Sequence, residues 1–315
     1  MRNHEAMEFT NGIGIILYIF IADNASAGWL AKINLNFEAY KSTSDKNREK
    51  KMRYEGVFRK MRTEITDKVQ YYLIFEDDFI NMNQILGKKI SLNFLRFQCL
   101  NCGLQKKIFR QGYCYDCFTS IPQAGDWIMS PELSKAHLDE EDRDLDFEKQ
   151  AQLQPHVVYL ANSSNVKVGV TRKTQIPTRW IDQGAHEAIE IVEVPNRYLA
   201  GITEVALKSH VSDKTNWRKM LTNDVLDLNL AEERDKLKDF IPDEAKEYYL
   251  ADRKELEIDF PVLEFPKKIK TLNLGKNPFY EGVLKGIKGQ YLIFEDGTVF
   301  NVRAHEGFVV ELGVL

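Results

Sequence analysis

The sequence predicts an α+β protein assembled from several small units, on three observations. All four cysteines fall in a single C-x2-C-x11-C-x2-C pattern, strand-like blocks near the start return near the end, and residues 155–222 alternate β-branched runs with helix signals. At 315 residues, with 43% apolar and 29% charged side chains, the chain is an ordinary globular one, long enough for two or three packed units.

Residues 1–51 read as an N-terminal extension. Its strongly apolar run, IGIILYIFIA at 13–22, is about half the length of roughly 20 residues that crosses a bilayer, so no membrane association is expected. The sequence DNASAGW that follows has the small residues of a secretory cleavage site, but Met1–Gly12 carries one Arg and two Glu, a poor positive region. Met52 stands directly before the first convincing strand and is the expected functional start, with 1–51 upstream of it or disordered; a genuine signal and an ordered segment are the other readings. Cysteines paired for a metal favour a reducing compartment, so the expected location is the cytoplasm.

Residues 52–95 and 256–315 are expected to be related β-units. YEGVFRK at 54–60 returns as YEGVLKG at 280–286, and YLIFED at 72–77 returns unchanged at 291–296. The blocks start eighteen residues apart in the first copy and eleven in the second, so each copy predicts a β-hairpin, the first with seven extra residues in its loop. Two strands bury too little to be stable alone, so the copies should pack as a pair or contribute strands to one barrel.

The module at 96–130 holds CLNC (99–102) and CYDC (114–117). Four thiolates in two close pairs suit a closed tetrahedral zinc site with Cys99, Cys102, Cys114 and Cys117 as ligands, whereas a hydrolytic zinc would keep a position for water. An iron–sulfur cluster and disulfides are the alternatives. Between the pairs, Lys106, Lys107 and Arg110 sit on an expected two-stranded knuckle, either as phosphate contacts or as a solvated hairpin. The layout, with the second pair running into FTS where a helix could begin, resembles treble-clef zinc fingers. An acidic linker, 131–154, containing LDEEDRDLDFE at 138–148, should follow.

The segment 155–222 should open with a hairpin, strands 156–161 and 166–172. A helix follows, announced by Pro177 and stopped at Gly184, then strand AIEIVEV at 188–194 and a helix begun by Pro195. Charge-rich helical sequence is expected over 223–255, and alternating LEIDFPV at 256–262 returns to strand.

This segment resembles the GIY-YIG nuclease superfamily. VVYLA stands at the family's first tyrosine motif and VKVGVTR at its second; Arg179 in PTRWIDQG falls at its phosphate-binding arginine, Glu204 in GITEVALK at its metal-binding glutamate, and Asn216 in DKTNWRKML at its late asparagine. The resemblance implies a GIY-YIG-like core with Tyr159, Lys167, Arg179, Glu204 and Asn216 as catalytic candidates and Mg2+ or Mn2+ at Glu204. Phosphodiester displacement needs a carboxylate for the metal, a base near the attacking water and a cation over the developing charge. Lys167 occupies the place of the second tyrosine; a lysine acts as a base only with a strongly lowered pKa and is otherwise a phosphate contact, as Arg172 and Lys173 beside it would be. The loop NSSN decides the geometry. With four loop residues Tyr159 pairs with Val168 and faces away from Lys167; with three or five, Tyr159 sits opposite Lys167 and shares a face with Gly169 and Thr171. Each residue also has a plainer role: Tyr159 in the core, Arg179 neutralising Asp182 or a helix end, and Glu204 ion-paired on one helix face with Arg197 and Lys208.

The formal charge of −4 does not announce a nucleic-acid binder, but its distribution does not exclude one. Six Lys or Arg and no acid lie between Phe79 and Tyr115, and five and no acid from Lys149 to Ile181. Over most of 52–315 the chain also resembles an uncharacterised bacterial family, a domain of unknown function. The expected function is a zinc-containing, non-catalytic nucleic-acid-binding protein, DNA or RNA, that uses the basic faces of its zinc module and β-units. A metal-dependent endonuclease and a protein-interaction adaptor are the competing readings.

Overall fold

A computed structural model describes residues 52–76, 78–211 and 216–315. The apolar run at 13–22 and the question of a start at Met52 lie outside the described residues. Among these, no helix is long and apolar enough to cross a membrane.

The first repeat copy supplies β1 (Met52–Val57), β2 (Arg62–Glu64), β3 (Gln70–Ile74), β4 (Phe79–Asn81) and β5 (Lys89–Phe97). The cysteine module adds helix α1 (Tyr115–Ser120), and the acidic segment adds α2 (Leu145–Gln152). The central segment folds as β6 (His156–Asn162), β7 (Val166–Arg172), α3 (Thr178–Asp182), β8 (Glu187–Val194) and α4 (Arg197–Lys208). After α5 (Trp217–Leu221) and α6 (Leu230–Leu237) come β9 (Leu256–Glu257), β10 (Lys270–Leu272), β11 (Phe279–Lys288), β12 (Tyr291–Phe294), β13 (Thr298–Asn301) and β14 (Phe308–Val314).

The two repeat copies are interleaved. One seven-stranded sheet runs β1-β14-β5-β11-β12-β13-β10, so each copy's first strand lies beside the other copy's last. Tyr54 of β1 stands opposite Leu312 of β14, and its counterpart Tyr280 of β11 opposite Leu92 of β5. The same relation recurs in the corners: Phe58 exchanges backbone hydrogen bonds with Gly307 and Phe308, and Leu284 with Gly87 and Lys88. Equivalent ring pairs, Tyr54 with Phe75 at 5.9 Å and Tyr280 with Phe294 at 4.8 Å, back the two first strands. The exchange lets copies too small to be stable alone share one core. It also corrects the expected hairpins. In the second copy β11 and β12 do pair, Leu284 opposite Phe294. In the first, the seven extra residues hold their own strand, β2, which takes the place beside β3 and leaves β1 to β14; β2, β3 and β4 form a separate three-stranded sheet.

The central sheet has the order β7-β6-β8-β9. β6 is buried along its whole length because both its faces are covered. Val157, Tyr159 and Ala161 join the large core shared with the β-units, whereas Val158 and Leu160 pack beneath α4 and α6 with Ala200, Leu207, Leu230 and Leu237. β7 is left as an edge strand. Its loop to β6 is three residues, 163–165, because Asn162 pairs with Val166, and this puts Tyr159, Lys167, Gly169 and Thr171 on one face. Directly opposite Tyr159 is Gly169, not Lys167, which pairs with Ala161. A register shift at Val158/Tyr159 leaves Ile191 of β8 as the extra, unpaired residue, so β8 bulges opposite the tyrosine.

Residues 131–154 are packed, not a linker. The backbone of Pro131 and Glu132 lies so close to α4 that a Cβ at Gly201 would stand 2.3 Å from the Glu132 nitrogen. Glu148 turns inward, where it accepts hydrogen bonds from the backbone N–H groups of Asp142, Arg143 and Asp144. Its buried carboxylate satisfies donors that the turn would otherwise orphan, while the neighbouring acids remain exposed, which is why the stretch reads as solvated. The expected helical run at 223–255 is α6 followed by two 3₁₀ turns, Lys238–Phe240 and Asp243–Tyr248.

Candidate functional site

Two sites follow from this fold. At the first, the Sγ atoms of Cys99, Cys102, Cys114 and Cys117 lie within 4.8 Å of one another. Tight turns bring them there. Gly103, with φ +72°, reverses the chain after the first pair, Gly112, with φ +79°, precedes the second, and Cys114 caps the N-terminus of α1, which carries Cys117. A zinc ion about 2.3 Å from each of four sulfurs in a tetrahedron sets them roughly 3.8 Å apart, so the cluster could hold such a metal. The Cys114 N–H donates to Cys99 Sγ and Asn101 Nδ2 to Cys117 Sγ, each at 3.3 Å, the outer contacts that orient thiolate ligands. Burial opposes ionisation of Cys99, but backbone N–H groups of Cys102, Cys114 and Asn101 outweigh it and bring the thiol down to about 6.

The knuckle's basic residues are set apart from the second site. Lys106 is paired with Asp116 at 2.7 Å, Arg110 lies over the Phe109 ring at 5.4 Å, and Lys107 is exposed. Lys173, at the end of β7, pairs with Glu193 at 2.6 Å.

The second site is a cleft of about 1040 Å³ along the edge of β7. β7 brings Lys167 and Arg172 to it, α3 brings Arg179, Asp182 and Gln183, α4 brings Arg197, Glu204 and Lys208, and the start of α5 brings Asn216 and Trp217. Trp127, Ile128, Met129, Pro131, Phe147 and Ala151 add an apolar part of the lining from another stretch of the chain, and Lys60 and Arg303 reach in from the β-units. Seven Lys or Arg therefore face two carboxylates among the described lining residues, and both carboxylates are engaged. Asp182 pairs with Lys60 at 2.9 Å and accepts from Gln290. Glu204 pairs with Lys208 one turn on at 3.2 Å; burial nevertheless raises its carboxyl above the usual range against the pull of that lysine.

Tyr159 lies just under the floor and is fully buried. Its ring fills the space above Gly169, where a Cβ would stand 2.6 Å from the phenol oxygen. The hydroxyl donates to Gln183 Oε1 at 3.1 Å, and the Arg179 charge lies near enough to act on it. Burial raises its pKa further above the ordinary tyrosine value, outweighing Arg179, so at neutral pH it is a donor and not a phenolate base. Asn216 spends its side-chain oxygen capping α5, where it accepts from the N–H groups of Arg218 and Lys219.

Arg197 is the cleft residue with the most consequence that the sequence reading placed only on a helix face. Its guanidinium donates to the carbonyls of Trp127 and Ile128 at 3.2 and 2.9 Å and lies 5.5 Å over the Trp127 ring. Burial brings its pKa down to about 10, against the attraction of Glu204, and the neighbouring charges of Arg179 and Arg172 push the same way. Three guanidinium groups thus converge beside one glutamate already held by a lysine.

A family model described as protein of unknown function (DUF2797) matches residues 87–310. The chain belongs to that family. The four cysteines and the cleft residues of β7, α3, α4 and α5 all fall inside the DUF2797 span, whereas Lys60 precedes it. No curated protein and no solved structure matches the chain.

Proposed function

We propose that this DUF2797 member is a zinc-containing nucleic-acid-binding protein that grips phosphates in the β7 cleft without cleaving them. The carrying observation is the convergence of Arg172, Arg179 and Arg197 in a cleft whose described cations outnumber its carboxylates seven to two. Like charges crowded at a partly desolvated site repel one another, and a bound phosphate relieves that repulsion while accepting their fixed N–H donors. This reading puts the expected contact surface in the cleft, where the cations gather, rather than on the knuckle and β-units. The cysteine cluster, in this reading, carries structural zinc and braces the cleft wall. Arg143 donates to the carbonyls of Phe118 and Ile121 at the end of α1, and the chain runs on from there into Trp127–Met129.

A second reading, metal-dependent phosphodiester cleavage of GIY-YIG type, draws support from Lys167, Arg179, Glu204 and Asn216 lining one cleft above Tyr159. Glu204 would hold Mg2+ or Mn2+. Its ion pair with Lys208 and the raised pKa of Tyr159 favour binding over cleavage. The experiment is nucleic-acid binding and turnover measured together on the full chain and on Glu204→Gln. The binder retains its affinity in that variant and shows no magnesium- or manganese-dependent products in either form; products from the wild type that vanish in the variant would establish the nuclease. Absence of binding at low salt would leave the protein-interaction adaptor.

A further inference from the structure

The lining of the cleft combines two chemistries. Arg172, Arg179 and Arg197 supply one; an apolar wall of Ile128, Met129, Phe147 and Ala151 supplies the other. Met129 is 76% exposed, a large unbranched thioether left open to water beside a cationic face. Arg197 joins the two, because its guanidinium, carried on α4, is tied to the carbonyls of Trp127 and Ile128 beside the apolar residues. A purely electrostatic grip on phosphates has no use for such a wall.

We propose that the cleft takes single-stranded rather than duplex nucleic acid, its phosphates turned to the arginines and its bases laid on the Ile128–Met129 wall. The proposal rests on the nucleic-acid reading above and names the form of the ligand. A duplex keeps its bases stacked inside and offers mainly phosphate and groove edges, so Met129 and its neighbours would stay in water or against sugars. A single strand offers an apolar π-face with every base and a phosphate with every step, the same two chemistries that the lining combines. Methionine suits this contact, since its flexible, polarisable side chain adapts to aromatic faces of different shape. The volume, about 1040 Å³, is at the upper end of the roughly 300–1000 Å³ of sites that enclose one small organic ligand, room for a short stretch of one strand.

The test uses fluorescence anisotropy of the full chain with one labelled oligonucleotide sequence offered as single-stranded DNA, single-stranded RNA and duplex DNA at one salt concentration. The single strands should bind about tenfold or more tightly than the duplex. Met129→Ser should weaken single-strand binding about fivefold, with the slope of log affinity on log salt and the melting temperature unchanged, because an exposed neutral side chain carries neither phosphate contact nor core packing. A duplex bound as tightly as the single strand, or a Met129→Ser variant with wild-type affinity, would overturn the proposal while leaving the phosphate-binding cleft standing. Binding of none of the three at low salt would remove both.

Discussion

Tyr159 and Gly169 face each other across the central hairpin, and the tyrosine ring occupies the volume that any side chain at the glycine would need. A Cβ there would stand 2.6 Å from the phenol oxygen and 2.7 Å from its ring carbon. The ring cannot swing away freely, because it is buried edge-on against Trp180 at 5.8 Å and hydrogen-bonded to Gln183. Gly169→Ala should therefore lose about 1–3 kcal/mol by overpacking, read as a lower urea midpoint. Combined with Tyr159→Ala, the two losses should be less than additive, since the missing ring leaves room for the new methyl. Strict additivity would show that the ring does not fill that space.

The cysteine cluster sets the second expectation. Purified protein should carry about one zinc per chain by elemental analysis, and Cys99→Ser should lower both zinc content and stability. Structural zinc contributes on the order of 10 kcal/mol to small zinc domains, so the loss should be several kcal/mol. Metal-free protein with two disulfides and unchanged stability would exclude the assignment.

Protonation of His156 sets a third. Its ring is fully buried, Nδ1 lies 2.7 Å from the Gln154 carbonyl, Nε2 has no hydrogen-bond partner among the described residues, and burial brings its pKa down to about 4. The unfolded chain, titrating near 6.5, binds the proton first, so its contribution to stability is present in full above pH 6.5 and is lost progressively as pH falls toward 4. The displacement corresponds to about 3 kcal/mol at most. Urea unfolding between pH 7 and 4 should show this decline, and His156→Leu should make it shallower. His186 and His305, displaced in the same direction by burial, preserve the remainder. An unchanged slope in the variant would mean that the ring accepts its proton without cost.

Salt dependence separates the cleft from the knuckle. Replacing Arg172 and Arg179 by Gln should reduce the slope of log affinity against log salt by up to about 1.4 for a single strand, at roughly 0.7 per phosphate contact. The triple replacement of Lys106, Lys107 and Arg110 by neutral residues should leave the slope nearly unchanged. The reverse pattern would return the contact surface to the zinc knuckle.

The cysteine pairs were legible in the sequence because metal ligation requires two short turns, each encoded within four residues. The strand and helix signals of 155–222 were legible for the same reason. Alternation and capping are local, and β6, β7, β8, α3 and α4 form close to where they were expected. The repeat was visible as peptide identity, but its pairing was not. Whether β1 meets β3 or β14 depends on which partner covers Tyr54 and Phe75, a choice between segments about 250 residues apart that no local pattern records.

The sequence by itself determined which cysteines could share one metal site and the residue types of the central segment, since both follow from spacing along the chain. Tertiary structure alone decided the rest. It chose the three-residue loop that places Tyr159 on the face of Lys167, it turned Glu148 inward within a stretch that reads as linker, and it brought Lys60 and Arg303 into the cleft that Arg179 lines. The reason is that burial and charge proximity are properties of distance in space: a lysine from the first β-unit meets Asp182 of α3 only after the two repeat copies have closed around a common core.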